Sequence, residues 1–210
     1  MDFRRSLVLL FMAFIVAACA PEKPPQTAGP YDGESLETKI KVLRNLASVG
    51  DAKAEYALGQ LYLSGEGVPK DEKTAAMWIE RAAHREYAEA QFGLATMYQD
   101  GKGMPQDDEL AFQWYNRAAD QGHAYAQNNL GVIYDSGRGV PKNHETAVKY
   151  YRLSAEQENP VAQSNLGNSY MKGQGVPKDE NTGIEWIKRA ANLNHARAHL
   201  RNVESKLTVF

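Results

Sequence analysis

The stretch Gly65–Ala83, GEGVPKDEKTAAMWIERAA, decides how this chain is read. Two glycines followed by a lysine at the mouth of a helical run are the ingredients of a phosphate-cradling loop. Such a loop follows a strand and occurs once. Here no alternating strand pattern precedes it, and it recurs: Pro69 in GEGVPKD is followed by Pro105 in GKGMPQD, Pro141 in GRGVPKN and Pro177 in GQGVPKD, each 36 residues on. The loop is punctuation between helices.

Other columns keep the same step. Ala54, Ala90, Ala126, Ala162 and Ala198 form one; Tyr62, Tyr98, Tyr134 and Tyr170 a second; Trp78, Trp114, Tyr150 and Trp186 a third. In each unit the first apolar run, Ala54, Leu58, Leu61 and Tyr62, has three- and four-residue spacing and shares a helix face. Gly65 suits the left-handed residue that ends this helix, and Gly67 lets the chain reverse. Pro69 keeps the next helix from starting early, Asp71 caps it, and Ala75, Trp78, Ile79, Ala82 and Ala83 form its apolar stripe. Asn159-Pro160 places a capping residue before a proline at the first helical position. Gly59, Ala95, Gly131 and Gly167 form a small-residue column that lets helices approach, with the tryptophan expected to fill the gap beside it.

The pattern AxAxxxLGxxYxxGxGVPxDxxxAxxWxxxAA, read from Ala52 to Ala83, resembles the Sel1-like repeat, a relative of the tetratricopeptide repeat. The resemblance implies an all-α fold: an α-solenoid of four helix-pair repeats at 52–87, 88–123, 124–159 and 160–195, with half-repeat caps at 36–51 and 196–210. Leu36 to Gly50 reads as a second helix alone, and Ala196 to Leu207 as a first helix alone. Departures are mild: Met104 for valine, Asn143 for aspartate, Glu158 where Gly122 sits, and Gly183 for alanine.

Residues 1–18 read as a signal segment, with Arg4 and Arg5 ahead of an apolar run of 12 residues from Leu7 to Ala18. That run is short of the roughly 20 residues a membrane helix needs. Val16-Ala17-Ala18-Cys19 resembles the lipobox of bacterial lipoproteins, which implies acylation of Cys19. A plain signal peptide with a cysteine near its cleavage site is the alternative. Residues 19–35, rich in proline and glycine, read as an extended tether. Ala20 beside the cysteine, by the rule of that family, favours the outer membrane facing the periplasm. Cys19 is the chain's one cysteine, so no disulfide or thiol chemistry remains.

Balanced charge, 24 basic against 26 acidic residues, excludes a general nucleic-acid binder. His195 and His199 are four apart, but no acidic or sulfur ligand accompanies them in a zinc pattern, so no metal and no cofactor is expected. His84, His123 and His144 fall in different columns, and no nucleophile is paired with a base. No enzyme is expected. On each first helix the second, fifth, ninth and twelfth positions lie opposite the core stripe and mix aromatic, aliphatic and amide side chains. Tyr56, Gln60, Phe92, Tyr125, Asn128, Val132 and Asn168 on this stripe suit a concave groove for a protein or peptide. Packing between adjacent repeats is the equal alternative for its aromatics.

The expected function is that of an envelope adaptor with a lipid anchor and a protein partner. The alternatives are a peptidoglycan-directed binder or cell-wall accessory and, last, a secreted hydrolase. Cells fed a clickable fatty-acid analogue test the anchor: the full chain is expected to incorporate label, and Cys19→Ser to lose it.

Overall fold

The computed structural model describes the backbone of residues 35–207 and the side-chain surroundings of residues 35–193. Cys19, the signal and tether segments up to residue 34, and the side chains of His195 and His199 lie outside the described residues. Two units are distinguished, Met1–Lys39 and Ile40–Phe210. The described end of the first opens a helix, where the Thr38 N–H donates to Ser35 Oγ at 3.2 Å.

Among the described residues there are nine helices and no strand: α1 Leu36–Ser48, α2 Ala52–Ser64, α3 Glu72–His84, α4 Ala88–Asp100, α5 Asp108–Asp120, α6 Ala124–Ser136, α7 His144–Ala155, α8 Pro160–Lys172 and α9 Glu180–Leu207. From α2 onward each helix packs on the next. The four repeats are therefore the antiparallel pairs α2–α3, α4–α5, α6–α7 and α8–α9, stacked as an all-α solenoid.

The loop that opened the sequence is built as its residues dictate. Gly65, Gly101, Gly137 and Gly173 end the first helices in the left-handed conformation. Asp71, Asp107, Asn143 and Asp179 begin the second, each accepting from a backbone N–H in the first turn at 2.9 to 3.2 Å. Their own N–H groups return to the tyrosine column, onto the carbonyls of Tyr62, Tyr98, Tyr134 and Tyr170 at 2.8 to 3.0 Å. One backbone bond thus closes each loop. Asn159 caps α8 ahead of Pro160, taking the Val161 N–H at 3.0 Å.

The glycine column does bring helices together, but the tryptophan does not fill the space beside it. A Cβ on Gly59 would lie 2.5 Å from Ile79 Cγ1, and one on Gly131 2.5 Å from Tyr151 Cδ1. The filler is the residue after the tryptophan: Ile79, Tyr115 and Tyr151 are buried in three successive repeats. The indoles lie one helical step round and carry an arginine instead. Arg81 sits 4.6 Å from the Trp78 ring, Arg117 4.5 Å from Trp114 and Arg189 4.6 Å from Trp186. Gly183 has a reason as well. It faces Gly167 across α8 and α9, where a Cβ would fall 2.9 Å from the Gly167 carbonyl oxygen. The side chain the column lacks is one the interface has no room for.

A buried polar ladder crosses the repeat boundaries. Gln91, Gln127 and Gln163 are buried, and each donates through Nε2 to a carbonyl at the end of the preceding repeat: Ala83 O at 3.3 Å, Ala119 O at 3.3 Å and Ala155 O at 3.2 Å. The Oε1 atoms of the first two accept from Gln121 at 2.7 Å and Gln157 at 2.8 Å. Glu55 occupies the same rung in the first repeat as a fully buried carboxylate. Arg85 Nε donates to its Oε2 at 3.1 Å, and Arg81 Nη2 lies 2.9 Å from Oε1 as an ion pair outside hydrogen-bonding geometry. A buried charge of this kind is tolerable because it is paired.

The separate helix expected from Ala196 to Leu207 is not present; α9 runs without a turn from Glu180 to Leu207. Earlier repeats turn here on a left-handed residue, Glu86, Gly122 or Glu158. The corresponding Asn194 is followed by alanine, arginine and leucine, which favour helix, and by no proline or glycine.

Gly167→Ala is expected to destabilise the protein by about 1–3 kcal/mol in chemical denaturation, because backbone atoms of α9 are the obstacle. Gly59→Ala is expected to destabilise as well, since the obstacle is Cγ1 of the fully buried, β-branched Ile79, with the Ala75 carbonyl oxygen 3.2 Å away.

Candidate functional site

The stripe read from the sequence divides in two. Its fifth positions are a seam between repeats. The Tyr56 ring meets Tyr87 edge-on at 5.5 Å, and a Cβ on Gly93 would lie 3.2 Å from Tyr56 Cε2. Phe92 stacks on His123 at 4.6 Å with rings inclined by 21°, and Tyr115 lies 5.9 Å away. Asn128 is buried and accepts from Asn165 Nδ2 at 3.0 Å. For Tyr56, Phe92 and Asn128 the packing alternative holds. Tyr56 and Phe92 are half covered by the residues that cap the next first helix, Tyr87 and His123, and Asn128 is covered by the next first helix itself, at Asn165.

The second and ninth positions stay open except at Thr96, which is half-buried and donates to the Phe92 carbonyl at 3.0 Å. Gln60 and Asn168 are exposed. Tyr125 is 48% exposed, Val132 42% and Val161 51%. Tyr125 and Val161 occupy the same position in adjacent repeats, and Val132 lies two helical turns after Tyr125 on α6, so the three share one face of α6 and α8. At its edge, Tyr125 is 6.2 Å from both Phe92 and His123. The apolar side chains thus sit in the third and fourth repeats, while the first two present Lys53, Gln60 and Glu89 at these positions.

His123 is a member that sequence reasoning missed. It occupies the N-cap of α6, where its Nδ1 accepts the Ala126 N–H at 3.2 Å. Burial holds its imidazole below the ordinary value, with the charge of Glu89 opposing that shift. The signal was in the sequence: position 51 is Asp, 87 Tyr, 123 His and 159 Asn, a column that begins and ends with capping residues. The glutamine ladder was equally visible as Glu55, Gln91, Gln127 and Gln163. In the last rung Leu193 stands where Gln121 and Gln157 stand, and Gln163 Oε1 has no hydrogen-bond partner.

Nothing in the described residues assembles reaction chemistry. His144 Nδ1 and Asp135 Oδ1, 2.6 Å apart, tie α7 to α6, and His84 lies edge-on to Trp114 at 5.1 Å. Among the described residues no cluster of His, Cys, Asp or Glu could hold a metal ion, and no helix is long and apolar enough to cross a membrane. A depression of about 820 Å³ between the first two loops is lined by Lys70, Asp71, Glu72 and Met104. Its carboxylates are engaged in capping and in a 3.5 Å pair between Lys70 and Glu72.

Comparison with known proteins agrees with this arrangement. The model of the Sel1 repeat matches four times, at residues 52–87, 88–123, 124–159 and 160–195. The chain belongs to the Sel1 repeat family. Solved structures similar to it include a protective antigen present in uropathogenic Escherichia coli strains, displaying an SLR fold. That match has 39% identity and a TM-score of 0.71, and covers 73% of this chain and 33% of that one. A Sel1 repeat protein from Oxalobacter formigenes has 34% identity and a TM-score of 0.71, covering 74% of this chain and 62% of that one. The chain therefore spans a third of the first relative and under two thirds of the second. No curated protein matches. Sel1 repeat proteins are in general scaffolds for protein–protein interaction, without catalytic activity of their own.

Because His123 is held neutral, the unfolded chain binds its proton more readily than the folded one. The stability it contributes is complete above the ordinary value of 6.5 and is lost as the pH falls from there through the folded value. His123→Asn keeps a capping acceptor, as Asn159 shows, but cannot titrate. The drop in melting temperature between pH 7.5 and pH 5.5 is expected to be smaller in this variant than in the wild type.

Proposed function

We propose that this Sel1 repeat protein is a lipid-anchored adaptor of the bacterial cell envelope that holds a protein or peptide segment on the first-helix face of its third and fourth repeats. The observation that carries the binding reading is the open apolar trio Tyr125, Val132 and Val161, ringed by amides and hydroxyls such as Ser164 and Asn168. A face that met only water would be charged here, as Lys53 and Glu89 are at the equivalent positions of the first two repeats. An extended segment with aliphatic or aromatic side chains at alternate positions is the matching occupant, because an aromatic anchor beside aliphatic pockets supplies most of the affinity at such surfaces.

The anchor supports the location. Cys19 in its small-residue setting would fix the chain to the inner leaflet of the outer membrane, and the proline-rich segment after it would hold the repeats off the bilayer. Two or more acyl chains give lasting attachment, each buried methylene contributing about 0.8 kcal/mol.

The test is crosslinking in whole cells of the producing bacterium, followed by capture of the full-length chain and quantitative mass spectrometry. The triple variant Tyr125→Ser, Val132→Ser, Val161→Ser is expected to lose its principal protein partner at least tenfold while keeping wild-type helicity. Undiminished capture by a folded triple variant sinks the proposal. Retention by purified cell wall that the triple variant abolishes would replace the protein partner with peptidoglycan.

A further inference from the structure

The glutamine ladder changes at its last rung. In the second and third repeats both halves of the amide are engaged: Gln91 and Gln127 donate back to a carbonyl, and their Oε1 atoms accept from Gln121 Nε2 at 2.7 Å and Gln157 Nε2 at 2.8 Å. In the fourth repeat only the backward bond is made, from Gln163 Nε2 to Ala155 O at 3.2 Å. Leu193 stands at the donor position and has nothing to give. Gln163 is 4% exposed, and its Oε1 has no hydrogen-bond partner among the described residues. Leaving a buried acceptor of this kind unmatched is costly, and a donor that reaches it is correspondingly favoured.

Gln163 lines a cavity of about 480 Å³. The walls are Glu156 and Glu158 just after α7, Gln163 near the start of α8, and Trp186, Arg189, Asn192 and Leu193 along α9. Leu193 is thus both a wall of the cavity and the position from which Gln121 and Gln157 reach their rungs. The side of the Gln163 amide that lacks a donor is the side on which the cavity lies. Leu193 is only partly buried, so its side chain can turn outward to admit one.

The interior rungs show which donor fits: a neutral carboxamide. The charges around the cavity favour the same group, since Glu156 and Glu158 oppose an anion and Arg189 opposes a cation. Trp186 and Leu193 offer apolar surface to a short stem. Asn192 and Arg189, whose guanidinium lies 4.6 Å from the Trp186 ring, carry N–H groups for the carbonyl half of the ligand. Apolar walls with a few convergent polar groups are the usual make-up of a small-ligand site.

We infer that this cavity binds a primary carboxamide on a short apolar stem, the group that a glutamine side chain carries, with its NH2 donating to Gln163 Oε1. A glutamine of a bound peptide and a free small amide share that chemistry. None of the lining residues belongs to the face of Tyr125, Val132 and Val161, so the site stands or falls apart from the proposed function.

The experiment uses the full-length chain, labelled with nitrogen-15 and purified in detergent micelles. Nuclear magnetic resonance follows the Gln163 side-chain amide and the Trp186 indole during titration with N-acetylglutamine methylamide. Both signals are expected to shift saturably, at least fivefold more tightly than with the corresponding glutamate, lysine or leucine derivatives. Acetamide separates the two sources: weaker binding than the glutamine probe favours a peptide, and equal binding a free amide. Leu193→Gln supplies the missing donor from within the chain, and is expected to raise the melting temperature and abolish the response to the probe. Its fold is checked by the unchanged backbone spectrum away from the cavity. Should that variant fail to fold, the comparison of probes on the wild type decides alone. No response to the glutamine probe, an equal response to a control, or a response that persists in folded Leu193→Gln would overturn the inference.

Discussion

Every repeat depends on the contact between a second helix and the first helix that follows it. A pair such as α4–α5 has two apolar flanks, and the loop between its helices closes only one of them. The other flank has the next pair as its cover, which is why Ile79, Tyr115 and Tyr151 are buried. Stability in such a stack is the sum of marginal units and favourable interfaces. The small-residue column serves the contact inside each repeat, since Gly59 and Gly131 lie against Ile79 and Tyr151 of their own second helices. The two helices of a pair thereby approach closely enough for dispersion contacts along their whole interface.

The glutamine ladder adds direction to a contact that hydrophobic burial leaves unspecific. Apolar surfaces slide past one another at little cost, whereas a buried amide that misses its carbonyl costs about 1–3 kcal/mol. Gln91 and Gln127 each reach back to the preceding repeat and forward to an amide near the end of their own. They therefore hold the rotation between neighbouring repeats as well as their separation. The charged rung at Glu55 acts within the first repeat, where Arg81 and Arg85 tie α2 to the end of α3. Side chains on the open face are positioned by this ladder, because Tyr125 and Val161 share a face only if successive first helices keep one angle.

The function read for this chain follows from what the scaffold leaves over. Asp71 and Asp179 serve structure, held below the usual carboxylate range by the threonine hydroxyls and backbone N–H groups they accept from. The Tyr115 phenol, pushed up by burial, donates to Gln99 at 3.0 Å. Apolar side chains are left open on the first-helix face of the third and fourth repeats, where Tyr125, Val132 and Val161 share one face.

Residue spacing alone determined the repeat, its boundaries, the glycine and proline stops and the capping aspartates, because each of these is a local requirement of the backbone. Asn159-Pro160 could be read as a helix start, and Gly65 as a stop, without knowledge of any neighbour. Tertiary structure decided the rest. Whether Trp78 or Ile79 lies beside Gly59 depends on a rotation of about 100° per residue about the helix axis, which spacing leaves undetermined until the partner helix is placed. The division of the stripe into a covered seam at Tyr56, Phe92 and Asn128 and an open face at Tyr125, Val132 and Val161 has the same origin. All six lie opposite the core of their own repeat, and only the angle between repeats says which of them the next one covers.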